Sequence, residues 1–179
     1  FKNATDGRLD VATNALKSVV HPHRFLGINS SGQVSIIQTR GNPHGHIVLR
    51  GGTNGPNYRV NDIEDCEAAL QSAGQAMNIM IDCSHANANK DHTKQPQVVD
   101  DVCEQILQGN ESIMGLMLES HLHAGNQSIP DNHDDLSYGV SITDACIDWD
   151  TTDALLRDLD QRLYERLTSR SNADSPTKN

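Results

Sequence analysis

The sequence predicts an α/β fold in which helices alternate with parallel strands. Three observations support this prediction. Four segments repeat apolar residues at helical spacing, the apolar runs between them are nearly continuous, and charged residues recur after successive runs. Nearly continuous apolar runs are typical of parallel strands that are covered on both faces, whereas half-exposed strands alternate apolar with polar residues.

Helical periodicity and the residues at segment ends predict four helices. The predicted helices cover residues 8–20, 61–73, 96–108 and 151–167. Asn61 and Glu64 have the spacing of a capping box, and Pro96 occupies a first-turn position. Gly74 and Gly109 follow the second and third helices, where glycine commonly ends a helix. These signals agree with the apolar period, so each segment is predicted to be helical.

Short apolar runs predict the strands. They cover residues 25–28, 46–50, 77–83 and 113–118, and we expect these runs to form buried parallel strands. Residues 33–39 are a further short strand. No crossover helix fits between residues 28 and 46, so this strand is predicted to belong to a β-hairpin insertion. The polar tail over residues 169–179 lacks periodicity and is predicted to be disordered.

Composition excludes several classes of protein. The formal net charge of -10 argues against nonspecific binding to nucleic acid or anionic membranes. No apolar run approaches the roughly 20 residues that cross a bilayer, and the first ten residues do not resemble a signal peptide. The four cysteines form no CxxC pair, which argues against a zinc knuckle or a disulfide framework. Cys66 and Cys103 lie on apolar helix faces, so we expect core thiols in a cytoplasmic protein.

Charged residues follow successive apolar runs at a regular interval. Arg50, His85 and Glu119 are separated by about 35 residues each, which suits βα units of roughly 30 or more residues. In a (β/α) barrel, and at the switch point of a doubly wound sheet, such residues form the active site. The interval alone does not choose between these two folds. Residues 1–3 also have the character of a strand end, which favours the later part of a barrel.

Five residues are candidates for metal or anion binding. His85, Glu119 and Asp144 offer an imidazole and two carboxylates, a set that favours Mn²⁺, Fe²⁺, Co²⁺ or Zn²⁺. Taken singly, His85 could be a turn histidine and Asp144 a capping aspartate. Arg50 can pair bidentately with phosphate or carboxylate, and Lys2 supplies a mobile charge. The alternative for Arg50 is a salt bridge at the rim.

Several motifs follow one another in a fixed order along the chain. They are HRFLGI (23–28), GNPHGHIVLRGGTNGPNY (41–58), MIDCSHANANK (80–90), GLMLESHLHAGNQ (115–127) and YGVSITDACIDW (138–149). Residues 1–168 resemble the aromatic-amino-acid-regulated class of 3-deoxy-D-arabino-heptulosonate 7-phosphate (DAHP) synthase. The resemblance implies a (β/α)8 TIM barrel, of which the chain would contain the C-terminal part, about strands 4 to 8, with the β-hairpin as an insertion.

The resemblance also implies a reaction and roles for the candidate residues. Phosphoenolpyruvate condenses with erythrose 4-phosphate to give DAHP and phosphate, the first step of the shikimate pathway. His85, Glu119 and Asp144 match the ligands of one divalent metal ion. Lys2, Arg50 and His85 match residues that bind phosphoenolpyruvate, Lys2 and His85 being also catalytic. A homodimer or homotetramer is implied as well.

The resemblance extends to regulation but is incomplete at the site. Phe25 and Gly27 match positions of an amino-acid effector pocket, and glycine at the second position favours tyrosine over phenylalanine. The family's cysteine metal ligand and its basic segment for erythrose 4-phosphate have no counterpart in these 179 residues. We therefore expect the chain to be a partial enzyme that is inactive by itself.

Two alternatives to this function remain open. One is the related synthase that makes 3-deoxy-D-manno-octulosonate 8-phosphate from a longer aldose phosphate. The other is a noncatalytic half-barrel that binds an effector and has lost the metal. The motifs SHANANK and ESHLHAGNQ favour the heptulosonate enzyme over the first alternative. All the candidate site residues are retained, which argues against the second.

Overall fold

Helices and strands alternate along most of the chain, as the sequence predicts. The computed structural model describes residues 1–173, with side chains as far as residue 170. In chain order the elements are α1 (Asp10–Val19), β1 (Arg24–Ile28), β2 (Val34–Gln38), β3 (Ile47–Leu49), α2 (Val60–Ser72), β4 (Ile79–Asp82), α3 (Gln95–Leu107), β5 (Ile113–Met117) and α4 (Trp149–Ala173). Short 3₁₀ turns lie at His92–Lys94 and His133–Asp135.

A parallel sheet in the order β3-β4-β5 forms the centre of the structure. Ile47 lies opposite Ile79, which in turn lies opposite Ile113, and all three side chains are buried. Single parallel bridges extend this arrangement, from Lys2 to Val48 on one side and from Ser120 to Ile147 on the other. The predicted α/β fold with parallel strands is therefore confirmed, and it is compatible with part of a TIM barrel.

The hydrophobic core lies between the parallel strands and helices α1 to α4. Its buried members come from all of these elements and include Ala12, Leu16, Leu49, Ile63, Leu70, Ile81, Val98, Val102 and Leu163. Cys66 and Cys103 belong to the same core, as their positions on apolar helix faces predict. Burial raises the pKa of the Cys66 thiol to about 12. Both thiols therefore pack as small apolar side chains.

The β1–β2 hairpin is separate from the parallel sheet. The two strands pair antiparallel, with Leu26 opposite Ile36, which confirms the predicted β-hairpin. The expectation that residues 25–28 form a buried parallel strand is wrong. Leu26 is 75% exposed and Ile36 is 74% exposed. An apolar run shows only that a strand is favoured, and the short connection to β2 imposes antiparallel pairing with its neighbour in sequence.

Helix α2 begins near its predicted start but with a different cap. Arg59 is the N-cap residue, and its backbone N–H donates to Asp62 Oδ2 over 3.0 Å. The side chain that accepts from the N-cap backbone is therefore that of Asp62. The predicted pair Asn61 and Glu64 lies within the helix instead. The helix begins at Val60, one residue before its predicted start, and this shift moves the cap by two residues.

Helix α4 is longer than the sequence predicts. It continues to Ala173, so residues 169–173 of the predicted disordered tail are helical, and residues 174–179 lie outside the described part of the chain. Arg166 donates to the Gly109 carbonyl over 3.1 Å, and Arg170 donates to the Ile113 carbonyl over 3.2 Å. These contacts hold the last turns against the start of β5. None of the described helices, α4 included, combines the length and apolar character needed to cross a membrane.

Candidate metal and anion site

A pocket of about 270 Å³ lies beyond the C-terminal ends of the parallel strands. Its lining residues are Arg50, Ser84, His85, Ala88, Lys90, Asp91, His92, Glu119, Asp144 and Ala145. Arg50 directly follows β3, and His85 and Glu119 come shortly after β4 and β5. Because the strands are parallel, residues that follow their C-terminal ends meet at one edge of the sheet. Arg50, His85 and Glu119, which recur at a regular interval in the sequence, therefore lie close together in the structure.

Three candidate metal ligands converge in this pocket. His85, Glu119 and Asp144 each offer a ligand atom, and these atoms all lie within 4.8 Å of one another. His85 Nε2 lies 3.6 Å from Asp144 Oδ2. The backbone N–H of Ile147 donates to the Glu119 carbonyl over 3.0 Å, which brings the loop that carries Asp144 beside Glu119. One imidazole nitrogen and two carboxylates suit a borderline divalent ion.

Asp82, which is not among the residues predicted from the sequence, anchors the side chain of His85. Asp82 is fully buried, and its Oδ2 lies 2.8 Å from His85 Nδ1. Its Oδ1 accepts hydrogen bonds from the backbone N–H and the hydroxyl of Ser84. With Nδ1 facing this carboxylate, the tautomer that carries its proton on Nδ1 is favoured, and Nε2 is left for the pocket. A signal was present, because an acidic residue at the end of a buried strand requires partners.

Lys2 is joined to the site through the same carboxylate. Its Nζ lies 2.7 Å from Asp82 Oδ2, and its side chain is 38% exposed. Burial by itself would raise the pKa of Asp82, but the hydrogen bonds from Lys2, Ser84 and His85 outweigh burial and hold that pKa below its ordinary value. The positive charge of Lys2 is therefore paired with the negative charge of Asp82. Lys2 lies beside His85 and is not among the residues that line the pocket.

Arg50 presents an unpaired guanidinium to the pocket. Its backbone N–H donates to Asn3 Oδ1 over 2.8 Å, and Asn3 Nδ2 donates to the Gly51 carbonyl over 2.9 Å. Gly51 has φ +74°, and a Cβ there would lie 2.7 Å from that of Ala86, so this position requires glycine. Among the described residues, none forms a hydrogen bond or salt bridge with the Arg50 side chain. The salt bridge at the rim, which was the alternative interpretation of Arg50, is thus absent from the described residues.

The loop after β4 adds pocket residues that sequence reasoning missed. Lys90, Asp91 and His92 line the wall. The backbone N–H of Lys90 donates to the His85 carbonyl over 2.7 Å. His85, Asn89 and Lys90 all have positive φ angles. The positive φ angles and this hydrogen bond turn the loop back towards the His85 backbone, and the spacing of apolar residues carries no signal for such turns.

Phe25 lies at a second cavity, apart from the candidate metal ligands. This cavity of about 680 Å³ is lined by residues of α1, β1 and the flanking loops, namely Phe1, Ala15, Ser18, Val19, His23, Arg24, Phe25, Thr39, Gly41 and Asn42. Gly27 is absent from that lining. A Cβ on Gly27 would lie 2.7 Å from Ile37 Cγ1, so glycine leaves room for Ile37. Of the two candidate effector residues, the structure places only Phe25 at the cavity.

Comparisons with known proteins agree on one family. The family model described as "DAHP synthetase I family" matches residues 1–157. The Tyr-sensitive phospho-2-dehydro-3-deoxyheptonate aldolase of Escherichia coli (strain K12) is 52% identical over 170 residues, covering 95% of this chain and 48% of that protein. The tyrosine-inhibited aldolase of Schizosaccharomyces pombe is 44% identical, covering 93% and 45%. The chain thus spans about half the length of these two relatives.

A solved structure shows the same similarity in three dimensions. The phospho-2-dehydro-3-deoxyheptonate aldolase of Francisella tularensis SCHU S4 superimposes with a TM-score of 0.86 at 46% sequence identity. The match covers 93% of this chain and 48% of that chain. The similarity in structure therefore extends over almost the whole of the present chain.

Proposed function

The chain belongs to the DAHP synthetase I family, and from this premise we propose that it carries the metal and phosphoenolpyruvate sites of a DAHP synthase. The proposed reaction condenses phosphoenolpyruvate with erythrose 4-phosphate to give DAHP and phosphate, the first step of the shikimate pathway. The observation that carries the proposal is the convergence of His85, Glu119 and Asp144 within 4.8 Å, in the pocket that Arg50 also lines. A metal-ligand set beside an unpaired guanidinium suits a phosphorylated, anionic substrate.

We propose that residues 1–168 form the C-terminal portion of a (β/α)8 barrel, about strands 4 to 8. The parallel strands β3, β4 and β5, with the bridges at Lys2 and Ile147, support this assignment. The superposition on the Francisella aldolase supports it too, at 48% of that protein's chain. In a barrel of this kind the active site lies at the C-terminal ends of the strands. Arg50, His85 and Glu119 occupy that edge.

The chain's own residues would mainly bind and orient the substrates. The guanidinium of Arg50 can take two oxygens of phosphoenolpyruvate, and Lys2 adds a charge beside His85. These cations would hold phosphoenolpyruvate with C3 towards the aldehyde, which is catalysis by positioning. They would also stabilise negative charge that develops on oxygen. A divalent ion (Mn²⁺, Fe²⁺, Co²⁺ or Zn²⁺) held by His85, Glu119 and Asp144 would act as a Lewis acid on the aldehyde carbonyl.

An assay of the intact protein tests this function. We expect phosphate release from phosphoenolpyruvate with erythrose 4-phosphate and a divalent ion, and much slower release with arabinose 5-phosphate. A preference for arabinose 5-phosphate would instead identify the octulosonate synthase. Metal analysis addresses the noncatalytic alternative, because an effector-binding half-barrel would hold no stoichiometric divalent ion. Finding neither turnover nor metal in the intact protein would refute the proposed function.

We also propose that the 179-residue chain is inactive by itself. Its match to about half of the length of the Escherichia coli and Francisella proteins supports this. So does the site, which among the described residues brings only three candidate ligands together. Purified residues 1–179 should show no turnover even with Mn²⁺. Turnover comparable to that of a complete family member would contradict the proposal.

We propose tyrosine as the effector, bound at the cavity that Phe25 lines. The Escherichia coli relative is named Tyr-sensitive, and Phe25 is half exposed at this cavity. In the intact protein, Phe25→Ala should abolish inhibition by tyrosine and leave kcat unchanged. Leu26→Ala is the matched control, because Leu26 is the next residue and does not line the cavity. Inhibition of the unmodified protein by phenylalanine but not tyrosine would overturn the assignment.

We further propose that the intact protein is a cytoplasmic homodimer or homotetramer. Membership of the family supports both parts of this proposal. Light scattering on the purified intact protein should give a mass of two or four protomers, and cell fractionation should recover it with cytoplasmic enzymes. A monomer at micromolar concentration would contradict the proposed homodimer or homotetramer.

A further inference from the structure

Gln95 is a fully buried amide that contacts the backbone of a candidate metal ligand. It is the first residue of α3 and is 0% exposed. Gln95 Nε2 donates to the Glu119 carbonyl over 3.1 Å. In return, the Glu119 backbone N–H donates to Gln95 Oε1 over 2.9 Å. Both ends of one side-chain amide are therefore used on the two backbone groups of a single residue.

This contact occurs where the strand ladder has already stopped. The pairing of β4 with β5 ends at Asp82 and Met117, two residues before Glu119. On the other side of Glu119, the backbone N–H of Ile147 donates to the Glu119 carbonyl. Gln95 supplies one donor and one acceptor, as a neighbouring strand would. It thereby extends the ordered backbone as far as Glu119.

A second buried amide makes the same kind of contact elsewhere on the rim. Asn3, which is 3% exposed, accepts from the Arg50 backbone N–H and donates to the Gly51 carbonyl. Burying an amide is costly unless its donor and acceptor are both satisfied. At both positions that requirement is met by backbone groups at the pocket edge. The repetition indicates that buried amides set the backbone of pocket residues.

We propose that Gln95 is a positioning residue that holds Glu119 in place for metal binding. The inference rests on the proposed metal site, and it assigns to Gln95 no contact with metal or substrate. Fixing the N–H and C=O of Glu119 fixes the direction of its Cα–Cβ bond. The carboxylate is then held near His85 and Asp144, within the 4.8 Å that the three ligand atoms span. Without Gln95 the ligand would have to be ordered at the moment of binding, which weakens affinity.

The test compares two buried glutamines of helix α3 in the intact protein. Gln95→Met keeps the length of the side chain and removes both hydrogen bonds to Glu119. The matched control is Gln105→Met, because Gln105 is 8% exposed and donates to the Tyr58 carbonyl, away from the pocket residues. For each variant we would measure the dissociation constant for Mn²⁺, the free energy of unfolding, and the hydrogen exchange of the Glu119 amide without metal.

Supporting partners of metal ligands typically contribute about 10- to 100-fold in metal affinity. We expect a loss in that range for Gln95→Met, with faster exchange of the Glu119 amide, and neither change for Gln105→Met. Equal Mn²⁺ affinity in Gln95→Met and the unmodified protein would overturn the inference while leaving the metal site intact. An unmodified protein that binds no Mn²⁺ would refute the metal site and the inference together. If Gln95→Met does not fold, Gln95→Asn, which is one methylene shorter, serves in the same comparison.

Discussion

The pocket with the candidate metal ligands and the β1–β2 hairpin hold their side chains in different ways. At the pocket, polar groups such as Asp82 and Gln95 are completely buried, and each is hydrogen bonded to a neighbouring site residue. On the hairpin, apolar side chains such as Leu26 and Ile36 are about three-quarters exposed. The pocket therefore has buried polar groups with satisfied partners, whereas the hairpin has exposed apolar groups that the described chain does not cover.

This difference indicates a division of roles. Buried and satisfied polar groups give a rigid geometry, which metal binding and substrate orientation require. The hairpin contributes Phe25 to a separate cavity and supplies no pocket residue. Substitutions at the pocket should therefore affect metal affinity and turnover. Substitution of Phe25, the hairpin residue at that cavity, should affect inhibition and leave the chemistry unchanged.

The largest effect should follow the loss of His85. In the intact protein, His85→Ala removes a candidate metal ligand, so Mn²⁺ affinity and kcat/KM should each fall by more than about 100-fold, the upper range for residues that only support a ligand. His121→Ala is the control, because His121 is exposed and lies outside the pocket lining. Equal losses in the two variants would remove the distinction between pocket and surface histidines.

Arg50→Lys should have the next largest effect, on substrate binding. Lysine keeps the charge but cannot form two parallel hydrogen bonds to one anion. A hydrogen bond to a charged group contributes about 1.5–3 kcal/mol, so KM for phosphoenolpyruvate should rise by about 10-fold or more. Arg59→Lys provides the control, since Arg59 is exposed and is not among the residues that line the pocket. Its Nη1 lies 3.9 Å from Asp101 Oδ2. An unchanged KM in Arg50→Lys would place the anion elsewhere.

Asp82 should make the stability of the intact protein depend on acid pH. Its hydrogen bonds hold its folded-state pKa below the unfolded value of about 3.9. The stabilisation is therefore complete above the unfolded pKa and is lost as pH falls through the folded one. Urea unfolding of the metal-free protein between pH 6 and about 3 should show a smaller acid-induced loss of free energy in Asp82→Asn. If the unmodified protein and Asp82→Asn lost the same free energy of unfolding on acidification, Asp82 would not be the source of the pH dependence.

The smallest effect should come from the exposed hairpin. Leu26→Ser should change the free energy of unfolding by no more than about 0.5 kcal/mol, as is usual for surface substitutions. Ile81→Ala, at a 0% exposed core position, should cost about 2–5 kcal/mol in the same urea titration. A loss for Leu26→Ser close to that for Ile81→Ala would show that another part of the intact protein packs against the hairpin.

Much of the fold could be predicted because its signals are local. Leu16, Ile63 and Val102 each belong to a segment whose apolar residues have helical spacing. Each of these segments forms a helix, and its apolar residues lie in the core. Arg50 and His85 could be singled out as candidate site residues because each follows an apolar run, and both line the pocket. Whether the hairpin is buried or exposed could not be predicted, since an apolar run such as residues 25–28 has the same sequence pattern in a covered strand and in an exposed one. The end of α4 was missed because it depends on Arg166 and Arg170 reaching carbonyls far away in sequence.

The amino-acid sequence was enough to identify the helices, the strands and the side chains at the strand ends, because these depend on neighbours in the chain. How those side chains are held depends on contacts that form only in the folded protein. Asp82 meets Lys2 across 80 positions, and Gln95 meets Glu119 across 24. No local pattern records such pairs, because each exists only after the parallel strands have brought distant segments to one edge. The candidate ligands were therefore identifiable from the sequence, while the groups that orient them required the fold.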